Sequence, residues 1–422
     1  MLGVRMIKRG FLLAFVLFSF WRSYPTPEQP AVFDSSRAYG LGVLKRQEVP
    51  VLHLRGSPYE MGYQQGVLLR QEIRGRVASL YGELTSDPLP LLLQEARLLE
   101  IPDEFREEML GLAQGAGVSY TDILLLNSWP QLVARPRSDE ALNELLTFEP
   151  WFPPHVKPRF STPDESGARW APLSPRATFA LFGEATKDGG LLHGLEEDMA
   201  QGRVLLILYE PEVGNALVSL SQPGMVGVNM GFNEERISVA YLDVPSLDSS
   251  LRGVPLPFTL RRALQYSGDL PQALRIIASA PRTGGANVVL GDGKPASAAV
   301  LELSARRHAL FEAQDGYVVR TAHFLGLSTF QGERDRASEE RYSLWEEMIR
   351  RRYGLLDLEK TLFLLSHQCE IGGGRCYPKK VEEEMMLGTV MAASDLELWV
   401  VSLDPGEEIR KWGFNLREEL RP

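Results

Sequence analysis

The most reactive run of side chains in the sequence is HGLEED, His193 to Asp198, where one imidazole precedes three carboxyls. Such donors could hold a metal ion, although three acidic residues at the end of a strand are more often solvated. The usual catalytic signatures are absent: G-x-S-x-G, H-E-x-x-H, the P-loop and G-x-G-x-x-G. The six histidines are scattered singly, which favours surface or core positions over ligand roles. We therefore expect no metal and no cofactor.

Composition excludes one broad class of partner. The chain has 422 residues, of which 44% are hydrophobic and 24% charged, as in ordinary soluble globular proteins. The 45 basic residues against 55 acidic ones give a net charge of −10, and there is no long basic block. A mildly acidic chain of this kind is a poor candidate for nucleic-acid binding.

The first segment predicts export. Arg5, Lys8 and Arg9 precede the uncharged apolar run FLLAFVLFSFW, from Phe11 to Trp21. A basic start followed by a run of this length fits an export signal and is short for a membrane-spanning helix. No small-x-small cleavage site follows, so a cleaved signal and an uncleaved anchor both stay open. We expect a periplasmic, secreted or membrane-anchored protein that meets the membrane only through this segment.

Helical signals dominate the next part of the chain. Ser57, Pro58 and Glu60 form a capping box with proline at the first helical position. Gly62 and Gly66, one turn apart, would allow another backbone to approach closely. A second helix, in IPDEFREEMLGLAQGAG, is expected to stop at Gly115 and Gly117, and a third begins in SYTDILLLNSW. The predicted organisation is a signal or anchor (1–22), a linker (23–45), a helical N-terminal region (46–134), an irregular loop (135–175) and a sandwich (176–422).

After the irregular loop the pattern changes to paired strands. Asp-Gly turns at 188–189, 292–293 and 315–316 separate apolar runs, with one helix predicted over FTLRRALQYSGDLPQALRIIAS. Hairpins interrupted by a helical block indicate an α+β fold with antiparallel sheets and helices on the outside. Cys369 and Cys376 lie in the glycine-rich CEIGGGRC, where a disulfide and two unpaired thiols are equally open.

Six segments in order resemble one known family across roughly residues 48 to 416. They are LHLRGSPYEMGYQQG, GLAQGAGVSYTDILLLNSW, FALFGEATKDGGLLHG, GMVGVNMGFNEERISVA, TGGANVVLGDG and VVRTAHF. Together they are similar to the penicillin acyltransferase-like (acyl-coenzyme A:6-aminopenicillanate acyltransferase) family of N-terminal nucleophile hydrolases. The resemblance implies a four-layer αββα sandwich. It also implies a proenzyme that cuts itself immediately before a cysteine, whose thiol then attacks an amide or thioester.

The resemblance assigns the site residue by residue. The nucleophile position falls on Arg176, three residues before Phe179. The family's Arg-Asn-x-Asp becomes Leu195, Glu196, Glu197 and Asp198, so only the aspartate is kept. Asn233 and Asn287 match two asparagines that serve as oxyanion donors and substrate contacts, Arg341 matches a site arginine, and Ala322 stands where asparagine is usual.

Arg176 predicts a protein that keeps the fold and loses the chemistry. A guanidinium stays protonated and has no lone pair with which to attack. We expect a catalytically degenerate, exported member that retains a cleft for a small amide or acyl ligand, with Arg176 paired to Glu196, Glu197 and Asp198. One alternative is an active hydrolase or acyltransferase of linear amides that uses Ser174 or Thr178, which strand alternation places on the face of residue 176. Another is a structural or protein-binding envelope component.

Overall fold

The computed structural model describes residues 42–45, 49–83, 89–133, 174–199, 204–313, 315–332, 335–366, 385–403 and 410–420. The predicted export segment, most of the predicted linker and irregular loop, and both cysteines lie outside these residues. All the described residues fall within one unit, Ser35–Pro422.

Ten helices lie in the described ranges. They are α1 (Pro58–Leu68), α2 (Arg70–Glu83), α3 (Leu89–Leu98), α4 (Asp103–Ala116), α5 (Tyr120–Val133), α6 (Leu256–Tyr266), α7 (Leu270–Ser279), α8 (Arg336–Arg350), α9 (Leu358–Ser366) and α10 (Leu416–Glu419), with a 3₁₀ turn at Ser328–Phe330.

The strands form two sheets. They are β1 (Val43–Lys45), β2 (Val51–Gly56), β3 (Ser174–Gly183), β4 (Gly189–Met199), β5 (Leu205–Pro211), β6 (Leu217–Ser221), β7 (Met230–Asn233), β8 (Ile237–Asp243), β9 (Ala286–Asp292), β10 (Ser297–Leu303), β11 (His308–Glu312), β12 (Tyr317–Thr321), β13 (Met385–Ala392), β14 (Glu397–Leu403) and β15 (Arg410–Asn415). The large sheet has the order β1-β2-β5-β6-β7-β8-β9-β10-β11, and the small sheet β12-β3-β4-β13-β14-β15. Strands β2 and β5 pair in parallel, whereas the other pairs are antiparallel.

Three apolar cores separate four layers. Helices α1 to α7 pack on one face of the large sheet through residues such as Phe105, Leu260 and Val239. The opposite face meets the small sheet through Leu206, Phe232 and Leu398, among others. The outer face of the small sheet is covered by α8 and α9 through Trp345 and Leu362. The predicted α+β class and αββα layer order are therefore confirmed.

Several local predictions for the helical region hold. Ser57 caps α1, accepting the Glu60 amide while the Glu60 side chain returns to the Ser57 amide. Gly62 and Gly66 pack on α4, where an added Cβ would lie 1.8 Å from the Glu108 carbonyl oxygen and 2.4 Å from that of Leu112 respectively. That is too close for any larger side chain, so both positions require glycine.

Other local predictions need correction. Gly115 does not end α4; the helix ends at the left-handed Gly117, whose φ of 69° suits glycine. The helix predicted over 258–279 is two helices, because Asp269 caps a new one by accepting the Gln272 amide. Residues 51–56, inside the predicted helical region, form β2, and Arg410–Asn415 add the unpredicted strand β15.

None of the described helices is long and apolar enough to cross a membrane on its own. One pair, Asp103–Ala116 with Tyr120–Trp129, passes the length and composition test together but is bent by 118°.

Candidate active site at the start of strand β3

The predicted nucleophile position, Arg176, lies in a β-bulge. In the β3–β4 hairpin, Pro175 pairs with Glu197 and Ala177 pairs with Glu196, so Arg176 is the extra residue of β3 with no partner position in β4. A bulge re-aims the side chain at its centre and interrupts strand alternation. The expectation that Ser174 and Thr178 share a face with residue 176 therefore does not hold, because it assumed a regular strand. Arg176 is partly buried and engaged in an interaction.

Thr178 belongs to a buried network between the two sheets. Its hydroxyl donates to the Gly194 carbonyl at 3.0 Å and lies 3.3 Å from His193 Nε2. Since that proton is engaged, His193 donates from Nε2 to Thr178, and its Nδ1 accepts from the Ser238 hydroxyl at 2.9 Å. Burial lowers the pKa of His193 to about 3, so the ring is neutral. The three side chains link β3, β4 and β8, and the imidazole does not activate the threonine.

Asn287 reaches across from the large sheet to the end of β12. Its amide nitrogen donates to the carbonyl oxygens of Thr321 at 2.8 Å and His323 at 2.7 Å. Two carbonyl acceptors fix which end of the amide is nitrogen. Thr321 pairs with Ala177, so Asn287 is brought beside the start of β3. Its buried Oδ1 has no hydrogen-bond partner in the described residues. In this orientation Asn287 presents an acceptor, whereas an oxyanion requires a donor.

Asn233 is not brought to the start of β3. Its neighbour Phe232 faces the small sheet, so Asn233 faces the helices on the other side of the large sheet. Its amide donates to the carbonyls of Leu264 at 2.7 Å and Ser267 at 2.9 Å, and its oxygen accepts the Ile237 amide at 2.9 Å. All of these bonds hold the end of α6 on the β7–β8 turn. The predicted role as an oxyanion donor is at odds with this placement.

Arg341 and Glu196 meet on the outer face of the small sheet. Arg341 Nε lies 3.8 Å from Glu196 Oε1, and Trp345 donates from Nε1 to Glu196 Oε2 at 2.9 Å. Trp345 packs on Phe179 with ring centroids 4.5 Å apart. The predicted site arginine is thus beside the hairpin, but it is bound to a carboxylate under α8.

Besides the buried His193, the inner face of β4 carries one carboxyl. Leu195 is buried in the core between the sheets. By alternation Glu197 shares that face. It is 1% exposed, and neither carboxyl oxygen has a hydrogen-bond partner in the described part of the chain. Burial raises its pKa to about 8. The predicted pairing of Arg176 with Glu197 is therefore wrong: a neutral acid in an apolar core replaces an ion pair.

For the remaining predicted residues, the structure gives only the backbone position or the contacts of adjacent residues. Ser174 pairs with Asp198 at the open end of the hairpin, and their side chains lie outside the described set. Ala322 separates Thr321 and His323, whose carbonyls hold Asn287. No cluster of three or more potential metal ligands occurs in the ranges the structure describes.

Sequence reasoning did not find the residues that organise this region. His193 was considered only as a possible metal ligand, and Ser238 and Trp345 carry no motif. The signal that could have found His193 is its parity with Leu191 and Leu195 in an apolar strand, which places it on the inner face. Trp345 lies four residues after Arg341 on a helix, so both side chains face the same strand.

Comparisons with known proteins agree with the resemblance in the sequence. The family model of acyl-coenzyme A:6-aminopenicillanic acid acyl-transferase matches residues 198–363. This match confirms the resemblance to that family, whose members are acyltransferases and amidohydrolases of the N-terminal nucleophile type.

Curated relatives are longer than this chain. An uncharacterised protein of Archaeoglobus fulgidus is 27% identical over 395 residues, covering 83% of this chain and 63% of the relative. Protein dcd1B of Dictyostelium discoideum is 24% identical over 327 residues, covering 67% of this chain and 56% of the relative. The chain thus spans less than two thirds of each relative's length.

Two solved structures are also similar to this chain. A mutant conjugated bile acid hydrolase of Clostridium perfringens matches with 15% identity and a TM-score of 0.36, over 57% of this chain and 97% of that one. Penicillin V acylase of Agrobacterium tumefaciens matches with 12% identity and a TM-score of 0.40, over 57% and 86% respectively.

Proposed function

We propose that this chain, a relative of the acyl-coenzyme A:6-aminopenicillanic acid acyl-transferase family, is an exported protein that keeps the family fold and has lost its self-cleavage and its amide chemistry. The observation that carries the proposal is the environment of Arg176. The residue at the predicted nucleophile position is a bulged arginine, and the side chains expected to assist it, Asn233, Asn287 and Arg341, are bound to other groups of the protein.

The amides support the same conclusion independently of the nucleophile. Acyl transfer through a tetrahedral intermediate needs hydrogen-bond donors aimed at the developing oxyanion, and losing one donor typically costs 10²–10³-fold in rate. The Asn287 amide is held by two backbone carbonyls, and the Asn233 amide by two others on the far side of the large sheet. Neither donates toward the start of β3, so restoring a nucleophile alone would not restore the site.

The positive charge that would orient a terminal amine is also missing. Leu195 occupies the position of the family arginine and packs into the core between the sheets. Glu197, next on that face, is a buried carboxyl with a raised pKa and no hydrogen-bond partner among the described residues. This face of β4 supports packing of the two sheets against each other rather than proton transfer.

A relocated threonine nucleophile is less well supported. Thr178 is fully buried, donates its proton to the Gly194 carbonyl, and accepts from His193. A nucleophilic hydroxyl needs a base that accepts its proton and a path to substrate. Thr178 instead accepts a hydrogen bond from His193, so the direction of this hydrogen bond is the reverse of what a nucleophile needs.

The intact mass of the purified full-length protein tests the proposal. We expect one polypeptide, with at most the N-terminal segment removed. A new N-terminus at residue 174, 176 or 178 would overturn the proposal, and alanine substitution at that residue would identify the nucleophile. Arg176→Ala serves as the matched control, since it removes the arginine without supplying a nucleophile and should also stay uncut.

Two further measurements address the finer parts of the proposal. Fractionation of expressing cells tests export, and recovery only in the cytosol would remove that part. A panel of N-acyl amides tests whether a cleft is kept. A rise in melting temperature that is lost in Arg176→Ala supports a ligand at the start of β3, because a ligand that binds only the folded state stabilises it. No shift with any of them would favour the structural or protein-binding alternative.

A further inference from the structure

A second polar cluster lies in the helical layer, remote from the start of β3. Glu108 of α4, Arg261 of α6 and Tyr209 of β5 converge between the helices and the large sheet. Arg261 has no exposed surface, Glu108 is 1% exposed and Tyr209 is fully buried. The surrounding core is apolar, with Phe105 and Phe258 stacked at 5.0 Å between the same two helices.

The direct contacts in this cluster are few. The guanidinium carbon of Arg261 lies 3.4 Å from the centre of the Tyr209 ring, a cation–π arrangement. Arg261 Nη1 donates to the Val226 carbonyl at 3.1 Å. Arg261 Nη2 lies 3.6 Å from Glu108 Oε2, an ion pair that is too long for a direct hydrogen bond.

Four buried polar atoms of the cluster have no hydrogen-bond partner among the described residues. They are Arg261 Nε and Nη2, Glu108 Oε1 and the Tyr209 hydroxyl. Arg261 Nε and Nη2 form the edge of the guanidinium that binds paired acceptors. Leaving such groups unsatisfied costs roughly 1–3 kcal/mol each, and buried water with about three hydrogen bonds is the usual remedy.

We propose that Glu108, Arg261 and Tyr209 form an internal proton-binding site, bridged by ordered water, that attaches α4 and α6 to the large sheet more firmly in acid than in base. A water molecule at the Nε–Nη2 edge of Arg261 would accept hydrogen bonds from this edge and from the Tyr209 hydroxyl, and would donate a hydrogen bond to Glu108. When Glu108 carries a proton it adds a donor to this set. When it is ionised, its charge is compensated, among the described residues, only by the Arg261 guanidinium at 3.6 Å, in a medium without solvent.

The charges acting on Glu108 give the direction of the effect. Burial raises the pKa of Glu108 to about 7. The charge of Arg261 lowers this pKa, and the charge of Glu104, one turn earlier, raises it. Glu104 itself pairs with Arg262 at 3.1 Å, and burial raises the pKa of Tyr209, which stays neutral. From α1 the neighbour is Gly62, packed on the Glu108 backbone. A raised carboxyl pKa stabilises the fold most below the unfolded value of 4.5, and this stability is lost as pH rises toward 7.

Equilibrium unfolding in urea between about pH 5 and pH 8 tests this, comparing wild type with Glu108→Gln. The ratio of the unfolding constants, wild type over variant, should rise about tenfold per pH unit up to pH 7 and then level off. Every other titrating carboxyl is common to both proteins and cancels in the ratio. Glu104→Gln is the matched control, and its ratio to wild type should stay nearly flat. A flat ratio for Glu108→Gln would overturn the proposal.

Tyr209→Phe tests the bridge itself. Removing a hydroxyl that hydrogen-bonds through water should raise the unfolding constant about fivefold. An unchanged or lower constant would show that the hydroxyl has no bridge. If Glu108→Gln does not fold, the double variant Glu108→Leu with Arg261→Met replaces it, because it removes both charges together. The same pH-dependent ratio is then expected, and a flat one again overturns the proposal.

Discussion

Glu196 and Glu197 are consecutive residues of β4 and both are buried, yet their side chains lie on opposite faces of the strand and differ in their hydrogen-bond partners. Glu196 points outward under α8, where Trp345 donates to it at 2.9 Å and Arg341 lies 3.8 Å away. Glu197 points inward between the sheets, where neither oxygen has a hydrogen-bond partner in the described part of the molecule. The pleat of β4 alone separates a partnered carboxylate from a solitary acid.

The difference shows that the surroundings of a buried acid in β4 depend on the face that the acid occupies. On the outer face, helix α8 supplies an indole and a guanidinium four residues apart, so an acid is tolerated and anchors the helix. On the inner face, the neighbouring Leu195 packs into the apolar core between the sheets, and neither Glu197 oxygen has a hydrogen-bond partner among the described residues. An acid there is kept neutral, since burial favours the protonated form.

The largest effect is expected from removing the partnered acid. Glu196→Ala leaves the Trp345 indole without its acceptor and Arg341 without its carboxylate inside the protein. Breaking a buried pair from one side typically costs about 3–5 kcal/mol. Urea unfolding monitored by tryptophan fluorescence measures the loss.

Glu196→Gln is the control for this change, because it keeps an acceptor for Trp345 and loses only the charge. It should be destabilised by less than half as much as Glu196→Ala. Equal losses would mean that the ion pair with Arg341, rather than the Trp345 hydrogen bond, dominates. A loss below about 1 kcal/mol in Glu196→Ala would contradict the contrast between the two faces.

Replacing Glu197, which has no hydrogen-bond partner among the described residues, should stabilise the protein, and the size of this effect depends on pH. The folded pKa of Glu197 is about 8 against 4.5 in the unfolded chain. The unfolded state therefore loses its proton first as pH rises, and stability falls between pH 4.5 and 8 by at most about 1.4 kcal/mol per unit. Glu197→Gln removes this slope, so it should match wild type near pH 4 and exceed its stability at pH 8. A variant less stable than wild type at pH 8 would mean that the carboxylate has a partner.

A smaller effect is expected at the threonine of the inner network. Thr178→Val keeps the shape but removes the acceptor of the His193 Nε2 proton and the donor to Gly194. Leaving that buried imidazole donor unsatisfied should cost about 1–3 kcal/mol. Thr178→Ser keeps the hydroxyl and is the matched control. If Thr178→Val were as stable as Thr178→Ser, His193 would carry its proton on Nδ1 instead.

The sequence predicted the hairpins and many of the helices because these elements follow from local patterns. Alternating apolar strands, Asp-Gly turns and the Ser57 capping box are such signals. The αββα layer order was implied by the family resemblance and not by these patterns. Strand β2 was missed because its parallel partner lies 155 residues away (Val51 pairs with Leu206) and leaves no pattern in the six residues of β2 itself.

The geometry of the site depended on contacts that sequence does not encode locally. The bulge at Arg176 is a register shift, visible only once β3 and β4 are aligned. The two asparagines were assigned the same role from family motifs, yet Asn233 faces the helices and Asn287 faces the small sheet. Which carbonyls an amide binds is decided by tertiary packing, so a motif can identify the residue without identifying its function.

The smallest change in stability is expected at the nucleophile position. Arg176→Cys alters a partly buried side chain in a bulge and should change stability by no more than about 1 kcal/mol. It should also leave the chain uncut. A thiol there has no amide donor from Asn233 or Asn287 to stabilise an oxyanion, and Leu195 offers no charge to a terminal amine.

The triple variant Arg176→Cys, Leu195→Arg and Glu196→Asn returns those family residues, yet it breaks both faces of β4. Arginine at 195 would enter an apolar core, and asparagine at 196 would lose the ion pair with Arg341. We expect it to be less stable than Arg176→Cys alone and still uncut, as judged by intact mass and urea unfolding. Cleavage before residue 176 in either variant would mean that the amides reorient once a nucleophile is present. The bound geometry of Asn287 would then be a consequence of the arginine and not a separate loss.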